Sequence, residues 1–329
     1  MKNIKTLFAT IVSILFLSSA VQAGGHGGVE LKFGHVGKPG SLFHESAEHF
    51  KNLDNKRLGK KGKVVTFGSS QLGNDKQLLQ KVKAGTVNFA LPSSVMSSVH
   101  NEFGIFDMPY MIKDRAHMAK VEKQVLPGIF KNLEAKTGYK VLAVWENGFR
   151  QITNNKRPIN TPGDLKGIKL RTPKSKWRVK MFQTYGANPT PMAFSEVFTA
   201  LKTGTMDGQE NPYAQIASAK FQEVQKYLSI SNHVYTPAYV LVHKDQWNKV
   251  PADVRKIVEK AAQDTQGFVY KRAAELEVSL LKVIKDAGVK VNTANRDAFV
   301  KGSAAVYKQF GDEVPTGKAL IKKVSGLAK

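Results

Sequence analysis

The chain has 329 residues, enough for two domains, and carries 50 Lys and Arg against 26 Asp and Glu, a formal net charge of +24. It contains no cysteine, which excludes disulfides, thiolate nucleophiles and cysteine-bound metals. The lysines are dispersed and no arginine-rich stripe with interleaved aromatics occurs, which argues against a nucleic-acid site. A solvated lysine-rich surface is the simplest interpretation, and a secreted polyanion-binding protein is the alternative.

The first 23 residues have the features of a secretory signal peptide. Lys2 and Lys5 are positive, residues 7–17 are almost entirely apolar, and Val21-Gln22-Ala23 offers a cleavage site. The apolar run is shorter than the roughly 20 residues that span a bilayer, which disfavours a membrane anchor. We therefore predict cleavage after Ala23, a periplasmic location and a soluble mature chain with a charge of about +22.

The first third of the chain alternates strand and helix patterns. Alternating apolar and polar residues predict a strand at residues 29–34, and two further strands are predicted at 63–67 and 87–91. Apolar spacings of three and four predict helices at residues 41–56, with Ser41 as cap, and 75–84. This alternation indicates a mostly parallel sheet covered by helices.

A second α/β lobe is predicted to start near Trp145. The strand predicted at 139–145 leads into the Arg150 segment. A strand at 168–171 and helices at 175–185 and 195–202 are predicted beyond it, and the strand at 236–243 then returns to the first lobe.

A long helical pattern follows Pro251. Apolar positions keep spacings of three or four to Ala287, which corresponds to a helix of about 55 Å if it is continuous. Gly267 is the position at which the pattern could instead divide into two helices.

Several catalytic motifs are absent from the sequence. His44 and His49 are five residues apart and would point in different directions on a helix, unlike a zinc-binding pair. Residues 68–73 do not form a nucleophile elbow, and residues 59–62 lack the spacing of a phosphate-binding loop. The sequence therefore predicts no enzyme, no metal and no cofactor.

Two arginines and an asparagine suit an organic acid. A guanidinium is a planar, permanently charged fork that can hold a carboxylate bidentately. Arg150, Arg171 and Asn211 would supply two such forks and one amide donor. The alternative is that each arginine forms a structural ion pair with a nearby carboxylate such as Glu146 or Asp164.

The motifs around these residues resemble those of the extracytoplasmic solute receptors of TRAP (tripartite ATP-independent periplasmic) transporters, the DctP-like binding proteins. The resemblance covers almost the whole mature chain. It rests on Leu31-Lys-Phe-Gly34, Ser69-Ser-Gln-Leu-Gly73, Phe149-Arg-Gln-Ile-Thr-Asn-Asn155, Lys166-Gly-Ile-Lys-Leu-Arg171, Pro189-Thr-Pro-Met-Ala-Phe-Ser-Glu-Val197 and Asp207-Gly-Gln-Glu-Asn-Pro212.

The resemblance implies a two-lobed α/β periplasmic binding protein fold with a long helix spanning both lobes. We expect lobe I to comprise residues 24–147 plus 236–275, and lobe II residues 148–235 plus 276–329. It also implies a monomer that binds a small anionic organic acid, closes around it and delivers it to the small and large TRAP membrane subunits.

Site roles follow from the same resemblance. Arg171 matches the arginine that makes the main bidentate carboxylate contact, and Arg150 matches a second arginine at that carboxylate. Asn211 matches an amide donor to the ligand head. Phe194 matches an aromatic beneath the ligand body, although it could also be an ordinary core residue.

The first lobe departs from the sialic-acid receptors that it resembles. Residues 91–95, Leu-Pro-Ser-Ser-Val, stand where that subgroup has a Glu and an Arg, and Val36 replaces an Asn. The carboxylate anchor is kept while the selectivity wall differs, which argues against sialate as the ligand.

Overall fold

The computed structural model describes residues 28–328, so the predicted signal peptide at 1–23 lies outside the described residues. The strands are β1 Val29–Gly34, β2 Gly62–Phe67, β3 Phe89–Ala90, β4 Tyr139–Phe149, β5 Gln151–Asn154, β6 Lys169–Thr172, β7 Asn188–Pro191, β8 Gly208–Asn211, β9 Tyr227–Ile230, β10 Tyr235–His243 and β11 Lys290–Thr293. The helices are α1 Leu42–Leu58, α2 Asp75–Ala84, α3 Met96–Val99, α4 Arg115–Gln124, α5 Leu126–Thr137, α6 Lys176–Thr184, α7 Val197–Lys202, α8 Tyr213–Ser218, α9 Lys244–Trp247, α10 Ala252–Asp286, α11 Arg296–Gly302, α12 Ala304–Glu313 and α13 Gly317–Gly326.

The strands form two sheets, which confirms the predicted two-lobed α/β fold. The first sheet has the order β2-β1-β3-β10-β4, and the second has the order β11-β9-β5-β8-β6-β7. In the first sheet β1 pairs in parallel with β2 and β3, whereas β10 runs antiparallel to β3 and β4. The strand that returns from the second lobe is therefore inserted between strands that precede it in the sequence.

The chain passes between the sheets at two neighbouring crossings. Arg150 alone separates β4 in the first sheet from β5 in the second, and residues 231–234 lead from β9 back to β10. The Arg150 amide donates to the carbonyl oxygen of Val234 at 3.0 Å, which ties the crossings together. Such short, paired connections are suited to act as a hinge.

Helix α10 is continuous over 35 residues, about 50 Å, and passes through Gly267 without a break. It packs on α1 and β4 in the first lobe and on α8 beside the second sheet. The Trp145 indole donates to the carbonyl oxygen of Ala262 at 2.9 Å, which fixes the helix against β4. The predicted long helix is confirmed.

Several features differ from the sequence-based expectation, and two of them lie before residue 139. The strand predicted at 87–91 is formed only at Phe89–Ala90. Next to it the Asn88 amide donates to the Lys32 carbonyl oxygen at 3.0 Å, while the Lys32 amide donates to the Asn88 side chain at 2.8 Å. Between residues 92 and 138, where the patterns predicted no element, the chain forms α3, α4 and α5. These helices are short, and α4 and α5 are separated by one residue, so no long periodic pattern marks them.

Within residues 28–328, none of the helices has the length and apolarity needed to span a bilayer.

Candidate functional site

A cavity of about 390 Å³ lies between the lobes and gathers the four candidate residues. Arg150, Arg171, Phe194 and Asn211 come from the second lobe and its crossing, while Asp75 and Ser93 come from the first. One cavity therefore contains every residue that the sequence singled out for the ligand.

Arg171, on β6, is a buried cation that lacks an ion-pair partner. Its Nε and Nη2 both donate to the carbonyl oxygen of Met192, at 3.0 and 2.6 Å. Among residues 28–328 no carboxylate lies within 4 Å of its guanidinium. Asp164, the suggested local partner, instead accepts from the Thr161 amide at 2.8 Å. The structural ion pair considered for Arg171 is thus not formed.

Burial lowers the pKa of Arg171 to about 10, and repulsion from Arg150 adds to that effect. The group still carries its charge at neutral pH. Glu210 and Asp75 attract this charge, but neither contacts it directly. A buried cation without a contacting carboxylate at the wall of a cavity attracts an anion, because burying an unpaired charge is otherwise costly.

Arg150, at the crossing, is paired within the protein. Its Nε and Nη2 donate to the two carboxylate oxygens of Glu210 at 2.5 and 2.9 Å, and Nη2 also reaches the Asn211 Oδ1 at 3.0 Å. Pairing of β5 with β8 brings these groups together. The local partner considered for it, Glu146, is held by Arg115 at 2.6 Å. Arg150 therefore forms a structural ion pair, as the alternative interpretation predicts, but with Glu210 rather than Glu146.

Glu210 is the centre of a buried ionic network. It also accepts from Arg178 at 2.7 Å and contacts the His233 Nε2 at 3.0 Å, while Arg178 pairs with Asp107 at 2.7 Å. Burial alone would raise the pKa of Glu210, but Arg150 and Arg178 hold it well below its usual range. The two arginines and two carboxylates balance in charge, so this network needs no external anion.

Asn211 and Phe194 have protein partners as well as cavity positions. The Asn211 amide donates to the Gln209 Oε1 at 2.6 Å, which leaves one of its two N–H groups for a ligand. Phe194 is 9% exposed and its ring contacts Phe221 edge-on at 5.7 Å. Its position fits both the core and the ligand-packing interpretation.

The first-lobe wall has features that sequence reasoning only partly anticipated. Val36 and residues 93–95, singled out as departures from the sialate pattern, do line the cavity. Asp75 at the start of α2 was missed, although it lies only two residues beyond the motif at residues 69–73. Burial raises the pKa of Asp75 to about 6, and attraction to Arg171 opposes that shift. Asn147 and Gln215 were also missed, because neither lies in a recognisable motif.

Among the described residues, 28–328, no group of three or more His, Asp or Glu side chains is arranged to hold a metal ion.

Comparisons with known proteins agree with this architecture. Residues 33–313 match the model of the DctP family, "Bacterial extracellular solute-binding protein, family 7". The chain is 36% identical over 298 residues to the 2,3-diketo-L-gulonate-binding periplasmic protein YiaO of Escherichia coli, covering 89% of this chain and 90% of that protein. It is also 36% identical to the C4-dicarboxylate-binding periplasmic protein DctP of Rhodobacter capsulatus, over 87% of each chain.

A solved structure extends the similarity to the fold. The sugar acid binding protein DctPAm of Advenella mimigardefordensis, crystallised with galactonate, superposes with a TM-score of 0.87 at 33% identity, covering 92% of this chain and 99% of that chain.

These similarities decide between the classes that the sequence left open. They confirm a solute-binding protein rather than an enzyme, and they confirm the predicted periplasmic location. With a family model matching most of its length, the chain belongs to the DctP family of bacterial extracellular solute-binding proteins.

Proposed function

We propose that this protein is the periplasmic receptor of a TRAP transporter, which captures a small organic acid by its carboxylate and delivers it to the small and large membrane subunits. The observation that carries the proposal is Arg171, a buried guanidinium at the cavity without a carboxylate partner among the described residues. In this proposal Arg171 holds the carboxylate bidentately and Arg150 and Asn211 complete the head-group site. Phe194 packs beneath the ligand body.

Binding is coupled to closure of the two lobes. In this proposal the lobes comprise 24–147 plus 236–275 and 148–235 plus 276–329, adjusted so that all of β4 and β10 belong to the first lobe, and the hinge is formed by Arg150 and residues 231–234. Because the cavity wall comes from both lobes, a bound acid contacts more protein when the lobes are closed. That difference in affinity is what shifts the population toward the closed form. Small-angle scattering should then give a smaller radius of gyration with the acid than without it.

A thermal-shift screen over organic acids tests the receptor function. An acid present at about 100 times its Kd should stabilise the protein by about 2.7 kcal/mol, in a saturable manner. Heparin serves as the parallel probe for the alternative, a polyanion-binding protein. If no acid raises the melting temperature while heparin binds with a steep salt dependence, the receptor proposal is wrong and the alternative is favoured.

A further inference from the structure

A second cavity, the hinge cavity, lies at the crossing between the lobes. It measures about 1160 Å³, including the solvent space at its mouth, and shares no described lining residue with the candidate site. Phe149 lines the hinge cavity whereas its neighbour Arg150 lines the candidate site, so the crossing separates the two. The segment from β9 to β10 contributes Ile230, Ser231 and Asn232 to the wall. Capture of an acid in the cleft does not require this cavity.

The wall of the hinge cavity contains two residues with unusual backbone conformations. Tyr110 and Asn232 have φ angles of 58° and 42°, in the left-handed region that side chains other than glycine rarely adopt. Asn tolerates this region, so Tyr110 is the more strained of the two. Strained residues persist only where the surrounding structure enforces them, and they are concentrated at ligand sites and switches. Tyr110 therefore points to a function of this wall.

Hydrogen bonds hold both residues in place at the crossing. The Tyr110 amide donates to the His233 carbonyl oxygen at 2.8 Å, and its hydroxyl donates to the Ser231 carbonyl oxygen at 3.1 Å. The Gln151 Nε2 donates to the Asn232 Oδ1 at 2.6 Å. The Gln151 Oε1 accepts from the amides of Ser231 and Asn232 at 2.9 and 3.0 Å. The wall is therefore formed before any ligand arrives, which lowers the cost of binding.

The hinge cavity is positively charged. Lys113 and Arg296 line it, and none of its described lining residues is acidic. Within residues 28–328 the Lys113 ammonium forms no ion pair, and Asp114 beside it accepts instead from the His117 amide at 2.7 Å. Arg296 lies 3.8 Å from Asp297, whose side chain is 94% exposed, so this pair is weak. Two cations are thus available to an anion.

The remaining lining is largely aromatic and aliphatic. The Arg296 guanidinium lies over the Tyr110 ring, 5.2 Å from its centroid. This contact holds the cation at the cavity and leaves the N–H groups at its edge free to donate to an anion. Phe149, Ile112 and Ile230 add apolar surface beside it. A flat apolar body that carries one negative group matches this combination, because aromatic rings pack favourably against Tyr and Phe.

We propose that the hinge cavity is a second ligand site, which binds an aromatic monocarboxylic acid. The carboxylate contacts Arg296 and Lys113, and the aromatic body packs beside Tyr110 and Phe149. This site is independent of the proposed receptor function, since no residue of the candidate site takes part in it.

Calorimetry with three matched compounds tests the proposal. The probe is 1-naphthoate, 1-naphthalenemethanol keeps the rings without the charge, and undecanoate keeps the charge and the number of carbon atoms without the rings. We expect 1-naphthoate to bind about tenfold or more tightly than either. The alcohol offers no charge to the two cations, and the flexible chain loses conformational freedom and lacks ring contacts.

Four variants locate the binding. Arg296→Gln and Lys113→Gln, at exposed positions, should each weaken 1-naphthoate about fivefold or more. Lys301→Gln, in the last turn of α11, makes the same change of charge away from the cavity lining and is the matched control, expected to have no effect. Arg171→Met removes the cation of the candidate site and should leave 1-naphthoate binding unchanged. Melting temperatures of the variants establish that each is folded.

Several outcomes would overturn the proposal. No binding of 1-naphthoate, or binding that Arg171→Met abolishes and Arg296→Gln does not, would show that the hinge cavity is not its site. Equal weakening by Arg296→Gln and Lys301→Gln would indicate attraction to the surface charge alone. Equal affinity for undecanoate would show that the aromatic class is wrong. None of these results depends on the screen of organic acids, so the receptor function is tested separately.

Discussion

Arg150 and Arg171 are both buried beside one cavity, yet the protein treats their charges in opposite ways. Arg150, at the crossing between the sheets, is paired with Glu210 and linked through it to Arg178 and His233. Arg171, at the end of β6, has only a carbonyl oxygen as partner. A charge that is matched within the fold contributes to its integrity, whereas an unmatched one is available to a ligand.

The difference separates two roles that sequence alone assigns together. Removing one partner of a buried ion pair leaves the other charge uncompensated, which is strongly destabilising. Removing a buried charge that had no partner relieves a desolvation cost instead. Substitution of Arg150 should therefore mainly lower stability, whereas substitution of Arg171 should mainly lower ligand affinity.

The largest expected effect is on folding at the crossing. Arg150→Met should lower the free energy of unfolding by about 3–5 kcal/mol, because Glu210 then keeps only Arg178 as a cationic partner. Arg171→Met is the matched control and should change stability little or raise it slightly. Denaturant unfolding of both variants without ligand measures this, and equal losses would contradict the distinction between the two sites.

The next effect is on ligand affinity at Arg171. Arg171→Lys should lose about 2–4 kcal/mol of binding free energy, since an ammonium cannot reproduce a bidentate contact with a carboxylate. The stability of the ligand-free variant should stay close to that of the unmodified protein. Calorimetry with the tightest acid found by screening gives the answer, and near-unchanged affinity would remove Arg171 from the site.

Acidification should lower the free energy of unfolding through His233, which contacts Glu210, the partner of Arg150. Burial lowers the pKa of His233 to about 4, although its contact with Glu210 opposes the shift. The unfolded chain binds the proton near pH 6.5, before the folded one does, so stability falls as the pH drops from about 6.5 to 4. The expected loss is at most about 3 kcal/mol.

A variant distinguishes His233 from other buried histidines. Burial also lowers the pKa of His35, to about 3, so part of the acid dependence should remain in His233→Gln. Unfolding curves from pH 7 to pH 4 should be flatter for this variant. An identical pH dependence would show that His233 does not take up the proton on unfolding.

The smallest effect concerns the dispersed surface charge. The positive surface should speed capture of an anion by steering, and surface charges are screened within about 8 Å at physiological salt. Stopped-flow binding over a salt series should show slower association with nearly constant dissociation, because the contact with buried Arg171 is shielded. If dissociation carries most of the salt effect, exposed lysines contact the ligand directly.

The sequence predicts the fold where periodicity is strong and the site where motifs are specific. Helices α1, α2 and α10 follow from apolar spacing, and the motif resemblance brings together Arg150, Arg171, Phe194 and Asn211, which the structure places at one cavity.

What the sequence could not supply depends on contacts between distant segments. Glu210 becomes the partner of Arg150 only through the antiparallel register of β5 and β8. Gln215 is held at the candidate site by a relay of hydrogen bonds that runs through Asn147 and Ser93 to Pro237. No local pattern encodes either arrangement, because each joins segments that are far apart in the sequence.

The order of strands in the first sheet has a consequence for how the protein reaches its native state. Strand β10 lies between β3 and β4, so the sheet that begins at Val29 is complete only when the chain as far as His243 is present. Most of the second sheet is synthesised in between. An early chain fragment therefore cannot close its own first sheet, and the long-range pairing of β10 should make folding slow compared with a protein built from local contacts.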